Sequence, residues 1–214
     1  MAVRPQAPRF KKSVFVNCPF DAEYRPLFRA TVFTILACGY RPRCAWEIDD
    51  ASQTRIDQLY GIIHDCMHAI HDLSRSEVGE TPRYNMPLEL GIFMGAKRYG
   101  GQQQKTKRCL VMENKPYQWQ KYLSDMAGND IIAHGNRSDK IIGLVRDFLN
   151  SHRPKVDVPG ARFVRYEYNR FSSELPGYLE RLGHEDSELQ FKDLLKIVIE
   201  WQKSRMTQLE EGVV

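Results

Sequence analysis

The chain has 214 residues, 42% of them hydrophobic and 27% charged, which is typical of a folded globular protein and excludes a disordered or collagen-like chain. No apolar run approaches the roughly 20 residues of a membrane-spanning helix. The first twelve residues carry four basic side chains and no acidic one, so they account for the whole formal charge of +4. We expect residues 1–12 to be a disordered basic leader, and we expect no nucleic-acid partner, because such binding needs a basic face on the folded domain.

The five cysteines are odd in number and form no CxxC pair. No signal-peptide pattern precedes the first apolar segment. Together these features predict reduced thiols and a cytoplasmic location. Nothing in the sequence around Cys18 supports a nucleophilic role for that thiol.

Strand and helix patterns alternate from residue 13 to about residue 150. Short apolar runs predict strands at 13–17, 40–46, 69–73, 107–113 and 130–133. Apolar residues at helical spacing predict helices at 23–38, 54–67, 85–97 and 139–150. Gly39 ends the first helix, and Pro42 indicates an edge strand because proline cannot donate to a sheet. Ser52 or Thr54 can cap the second helix. This order predicts an α/β domain over residues 13–153 with a mostly parallel sheet and helices on both faces.

The remaining segment has a linker composition at 152–160 and two helical patterns at 171–182 and 187–205. We therefore predict a C-terminal helical extension over residues 160–214. The second helix carries an apolar stripe that includes Leu194, Leu195 and Val198. The favoured interpretation is that this stripe packs on the domain itself, and the alternative is an oligomerisation helix.

Ligands of parallel sheets bind at the carboxyl ends of the strands. The loops at 17–21, 46–50, 72–85 and 113–119 should therefore frame a cleft. Aromatic side chains at Phe20 and Trp46 can stack on a base or can belong to the core. Asp72 and Ser74 end the third strand and are expected to face the cleft, although Asp72 can equally cap the following loop.

The segment from Asn85 to Gly91 predicts an apolar helix with Asn85 as its cap and Pro87 in its first turn. Glu89 is placed in that first turn, where free N–H groups and the helix dipole favour a carboxylate. It is either a helix-start carboxylate or an ionised group facing the cleft. In the second case it can stabilise an oxocarbenium-like sugar cation or attack its anomeric carbon.

The sequence lacks the motifs of metal-dependent, redox, kinase and α/β-hydrolase chemistry. His64 and His68 share a helix face, but no carboxylate completes an HExxH arrangement, so no metal is expected. The sequence contains no GxGxxG, phosphate-binding P-loop or GxSxG motif, which argues against redox, kinase and α/β-hydrolase chemistry.

Three segments resemble known families. The strand and turn VFVNCPFD (14–21), the helix and strand RIDQLYGIIHDCMHAIHDLS (55–74) and the helix NMPLELGIFMGA (85–96) resemble Toll/interleukin-1 receptor (TIR) domains. The same segments are similar to nucleoside 2-deoxyribosyltransferases. The chain departs from the TIR pattern at Cys18-Pro19 and at residues 84–87.

Both resemblances imply a flavodoxin-like sheet and cleavage of an N-glycosidic bond by a glutamate, which is Glu89 in this sequence. The implied pocket residues are Phe20, Asp21, Trp46, Asp72, Ser74 and Asn85. The substrate would be NAD+, a nucleoside or a nucleotide, with NAD+ consumed as substrate and no cofactor required. The TIR resemblance also implies a bacterial effector of antiphage immunity that works as a homo-oligomer or with a sensor protein. The alternative is a non-catalytic TIR-type module for self-association and signalling.

Overall fold

A computed structural model describes residues 7–48, 52–76, 83–151 and 158–211. The strands are β1 (Ser13–Asn17), β2 (Arg41–Arg43), β3 (His68–Asp72), β4 (Arg108–Glu113) and β5 (Ile131–Ala133). The helices are α1 (Ala7–Lys12), α2 (Arg25–Ala37), α3 (Arg55–His64), α4 (Asn85–Tyr99), α5 (Ser138–Asn150), α6 (Ala161–Leu182) and α7 (Phe191–Glu210).

All five strands are parallel and lie in the order β2-β1-β3-β4-β5. This is the strand order of the flavodoxin-like fold, and it confirms the predicted fold class. The order reverses between β1 and β3, which places a topological switch point at the carboxyl end of β1. Pro42 lies in the edge strand β2, as predicted.

The two faces of the sheet are covered by different helices. Val14 and Val16 of β1 belong to a core cluster shared with α2, α5, α6 and α7. Phe15, which lies between them, belongs to a second cluster formed with α3 and α4. This alternation along the strand follows from the period-two geometry of β-structure.

The C-terminal helices share the larger of these clusters. Phe171 of α6 and Trp201 of α7 pack against Phe33 of α2, with ring centroids 5.3 and 5.7 Å away. Leu194 and Val198 of α7 are buried, which confirms that the stripe packs on its own domain, whereas Leu195 is only partly buried. Helix α6 begins ten residues earlier than predicted, because Val164 and Tyr168 extend its buried face toward the N-terminus.

The predicted leader needs a correction at Ala7–Lys12, while residues 1–6 lie outside the described residues. Ala7–Lys12 form the short helix α1, and Phe10 is only 5% exposed. The Phe10 carbonyl accepts a hydrogen bond of 3.1 Å from the Met67 N–H, and the Lys107 ammonium lies 5.4 Å from the Phe10 ring centroid. Burial of one aromatic side chain thus orders a segment that lacks apolar periodicity. Over the described ranges, no helix is both long and apolar enough to cross a bilayer.

Candidate active site

A cleft of about 540 Å³ opens at the carboxyl ends of β1 and β2, beside the start of α4. It lies at the switch point of the sheet, where ligands of this architecture bind. Four of the predicted site residues line it, namely Phe20, Trp46, Asn85 and Glu89. The other lining residues are Asn17, Cys18, Ala45, Arg55, Arg83, Tyr84 and Met86.

Glu89 does not occupy the first turn of α4. Tyr84 holds the N-cap position without a side-chain cap bond, Asn85 is the first helical residue, and the first turn contains no acidic side chain. The prediction of Asn85 as cap is therefore wrong by one residue. Glu89, as the fifth residue, comes after the four residues with free N–H groups.

The surroundings of Glu89 also change its expected charge. Burial raises the pKa of Glu89 to about 7, while the nearby Arg55 guanidinium acts in the opposite direction. The expectation of a fully ionised carboxylate at neutral pH is wrong, because removal from water outweighs the attraction of one cation. Near pH 7 this carboxyl group can hold or release a proton, as catalytic acids and bases must.

Asn17 fixes the position of α4 relative to the sheet, a role that the sequence analysis missed. Its side-chain Nδ2 donates to the Met86 carbonyl at 2.9 Å and lies 3.0 Å from Nδ1 of His71. Burial, assisted by Lys107, lowers the pKa of His71 to about 3. The imidazole is therefore neutral, and its Nδ1 accepts the Asn17 hydrogen bond. The signal in the sequence was a polar residue at the end of an apolar strand.

Phe20 and Trp46 stack on one another, with ring centroids 4.5 Å apart and planes at 29°. Phe28 packs edge-on against both rings. Trp46 lies in a short 3₁₀ turn, Ala45–Glu47, and not on a strand. It is 39% exposed, so the pair is anchored in the core while Trp46 keeps an accessible surface in the cleft.

Asp72 and Ser74 do not line the cleft. Asp72 is fully buried, and its Oδ2 lies 2.9 Å from Nε2 of His134 and accepts a hydrogen bond from the Tyr24 hydroxyl. Its Oδ1 accepts the Ser74 N–H at 2.9 Å. Nδ1 of His134 accepts the Asn136 N–H at 3.1 Å, so the imidazole proton is on Nε2, which lies 2.9 Å from Asp72 Oδ2 and 3.1 Å from the Ser74 hydroxyl. This cluster ties β3 to the loop after β5 and to the start of α2.

The charge of Asp72 is fixed by this cluster. Burial by itself raises the pKa of Asp72, but the hydrogen bonds from His134, Ser74 and Tyr24 outweigh it and hold the pKa below its usual range. An ionised carboxylate with this many donors is a structural anchor. Its bonds leave it turned away from the cleft that holds Glu89.

Asp21 stabilises the turn after β1 instead of lining the cleft. Its Oδ1 accepts the Tyr24 N–H at 3.0 Å, and its carboxylate lies 3.7 Å from Arg75 and 3.5 Å from Arg83. Asp21 therefore acts on the cleft through Arg83, which does line it. Burial, followed by the charges of Asp72 and other acidic groups, raises the pKa of the Cys18 thiol well above its usual value, so Cys18 is not an activated nucleophile.

Comparison with protein-family models, with curated proteins and with solved structures found no match to this chain. The functional argument accordingly rests on the cleft and on the groups that surround it.

Proposed function

We propose that the chain cleaves the N-glycosidic bond of a nucleotide or nucleoside, with NAD+ among its substrates, and that Glu89 is its catalytic carboxylate. The observation that carries this proposal is the partly buried Glu89 in a cleft at the sheet's switch point, facing the same space as Trp46. An aromatic surface for a base and a carboxylate for a sugar are the two parts that such chemistry needs.

The groups of the cleft support the following roles. Trp46 and Phe20 stack against the base, and Asn85 contacts the ribose. Arg55 and Arg83 suit the phosphates of a nucleotide, since guanidinium groups bind phosphate oxygens well. As the bond from C1′ to the base breaks, its electron pair leaves with the base and positive charge develops on the sugar. Ionised Glu89 stabilises that charge or forms a bond to C1′, and water or another acceptor then completes turnover.

The TIR resemblance extends this proposal to a bacterial antiphage effector that acts as a homo-oligomer or with a sensor protein. A cytoplasmic location is part of the same proposal. The five cysteines support it, because all of them are free thiols, as proteins in a reducing compartment have.

The direct test is release of free base, measured by chromatography, from NAD+, nucleoside monophosphates and deoxynucleosides. Glu89→Gln should abolish release, whereas Glu200→Gln, an exposed change on α7, should leave it unchanged. Because the ionised carboxylate is the active form, kcat/KM should rise with pH up to about 7 and then level off. Base release by Glu89→Gln at the normal rate would refute the assignment.

A non-catalytic self-association module is the second candidate. The observation that favours it is an apolar groove of about 690 Å³ formed by α2, α6 and α7, with Phe163 and Met206 exposed beside it. This module should increase in mass with concentration in light scattering and should release no base even when assembled. Assembly together with base release would instead support the enzyme.

A further inference from the structure

A second cleft, of about 860 Å³, lies at the opposite end of α4 from Glu89. Lys97 and Arg98 contribute to it from the last turn of α4, Lys105 from the 3₁₀ turn Gln104–Thr106, and Arg108 from the first residue of β4. At about 1.5 Å per residue, the α4 lining of this cleft begins at Phe93, about 6 Å along the helix axis from Glu89, and its cations begin at Lys97, about 12 Å away. The two clefts share no lining residue. This second cleft is therefore separate from the proposed active site.

All charged side chains that line this basic cleft are cationic. The cleft has four cationic side chains and no acidic one, and all four cations are exposed. Within the described ranges, none of the four forms an ion pair, although Arg43 and Arg75 elsewhere pair with Glu47 and Glu23. A concave site lined by one sign of charge concentrates oppositely charged ligands.

The helix dipole of α4 accounts for two of these four cations but not for the other two. Lys97 and Arg98 lie at the C-terminus of α4, where cations are favoured by the helix dipole. Lys105 and Arg108 lie outside the helix and gain nothing comparable from it. Bringing them beside the other two costs mutual repulsion, and an anionic ligand would remove that cost.

The aromatic surroundings distinguish among anionic ligands. Tyr99, next to Arg98 in sequence, is 87% exposed. In the cleft lining Phe148 is partly buried, whereas Phe93 is fully buried and offers no ring face to a ligand. Cations that follow a phosphate backbone together with aromatic rings for bases are the features of single-strand recognition. An acidic peptide would use the cations but not the rings.

We propose that this basic cleft binds single-stranded nucleic acid, with Lys97, Arg98, Lys105 and Arg108 on the phosphates and Tyr99 stacked on a base. The sequence-based expectation of no such partner considered net charge alone. Residues 13–214 are neutral in sum, yet they gather four cations from three separate segments at one place.

The test is fluorescence anisotropy of the full chain with labelled oligothymidylate and oligouridylate of about 15 nucleotides, a length that one such site can occupy. Lys105→Glu with Arg108→Glu should weaken binding at least about tenfold at about 0.1 M salt and reduce the salt dependence. Arg162→Glu with Lys203→Glu changes two exposed cations on α6 and α7 by the same total charge. This control should weaken binding by less than about twofold, since its cations lie outside the cleft.

Two further variants make the test specific. Tyr99→Ala should weaken binding while leaving the salt dependence unchanged, because a stacking contact releases no counterions. Glu89→Gln should bind oligonucleotides as the native chain does, so the result is independent of the proposed enzymatic activity. Circular dichroism of each variant checks that the fold is retained.

Three outcomes would overturn the proposal. The first is the absence of saturable binding to either oligonucleotide. The second is an equal loss of affinity in the cleft variant and in the Arg162/Lys203 control, which would show non-specific attraction. The third is binding to phosphatidylserine vesicles or to polyglutamate that oligonucleotides fail to displace, which would assign the cleft to a different anionic partner.

Discussion

Replacing Glu89 by Gln should stabilise the protein, and it should do so only at neutral and alkaline pH. The folded state raises the pKa of Glu89 from 4.5 to about 7, so between these values the folded chain holds a proton that the unfolded chain has released. The free energy of unfolding therefore falls as pH rises through this window, and the loss is complete above pH 7. Glutamine has nearly the same size and no proton to lose.

The size of the effect follows from the shift in pKa. Each unit corresponds to about 1.4 kcal/mol, so a shift from 4.5 to about 7 corresponds to about 3 kcal/mol. The Glu89→Gln variant should unfold with a free energy about 3 kcal/mol higher than that of the native chain at about pH 8, and less than about 1 kcal/mol higher at about pH 5. The cause is the cost of keeping an ionised carboxylate partly out of water.

Urea unfolding followed by tryptophan fluorescence measures both free energies. Glu200→Gln is the matched control, because it makes the same substitution at an exposed site and should show no pH-dependent difference. If Glu89→Gln is less stable than the native chain at about pH 8, or if the difference is the same at both pH values, the carboxylate is not destabilised by burial. The pKa argument for its role would then be wrong.

Three other substitutions test the packing described above. Phe10→Ala should lower the free energy of unfolding by about 3 kcal/mol, since it empties a buried aromatic site; a cost as small as that of exposed Arg9→Ala would show that α1 does not pack. Leu194→Asp should lower the free energy of thermal unfolding by about 4 kcal/mol or more, because it buries an unpaired charge. Leu194→Ala, which only removes apolar contacts, should lower it by less. Asp72→Asn should lower the free energy of unfolding in urea by about 3 kcal/mol or more, whereas Asp21→Asn, at a partly exposed ion pair, should lower it by at most about 1 kcal/mol. Equal costs for the two aspartates would contradict the anchoring role of Asp72.

The fold could be predicted because its signals are local. The five strands and the helices from α2 to α5 follow from apolar periodicity, from Gly39 as a stop and from Thr54 as a cap, which accepts the Asp57 N–H. The edge position of β2 follows from the missing N–H of Pro42. None of these inferences needs a partner that is distant in the sequence.

Two of the errors arise where distant residues decide the outcome, and a third is a local shift of one residue. Helix α1 forms because Phe10 packs beside Lys107, which lies in another segment. Asp72 faces inward because His134, far along the chain, supplies its hydrogen bond. The position of Glu89 depended on whether Tyr84 or Asn85 holds the cap, a difference of one residue that propensity does not resolve.

Two buried polar clusters, which begin at the adjacent residues His71 and Asp72 of β3, position the elements around the cleft. Asn17 and His71 connect the ends of β1 and β3 to the first turn of α4, and so they set where Glu89 lies. Asp72 and His134 close the other side of β3. Polar groups buried at strand ends are costly unless they find partners. The clusters pair Nδ1 of His71 with Asn17 and the Asp72 carboxylate with His134, Ser74 and Tyr24, whereas Nε2 of His71 stays unpaired among the described residues. Residues that carry no chemistry of their own therefore hold the carboxylate and the aromatic pair in place, which is the preorganisation that charge stabilisation in a transition state requires.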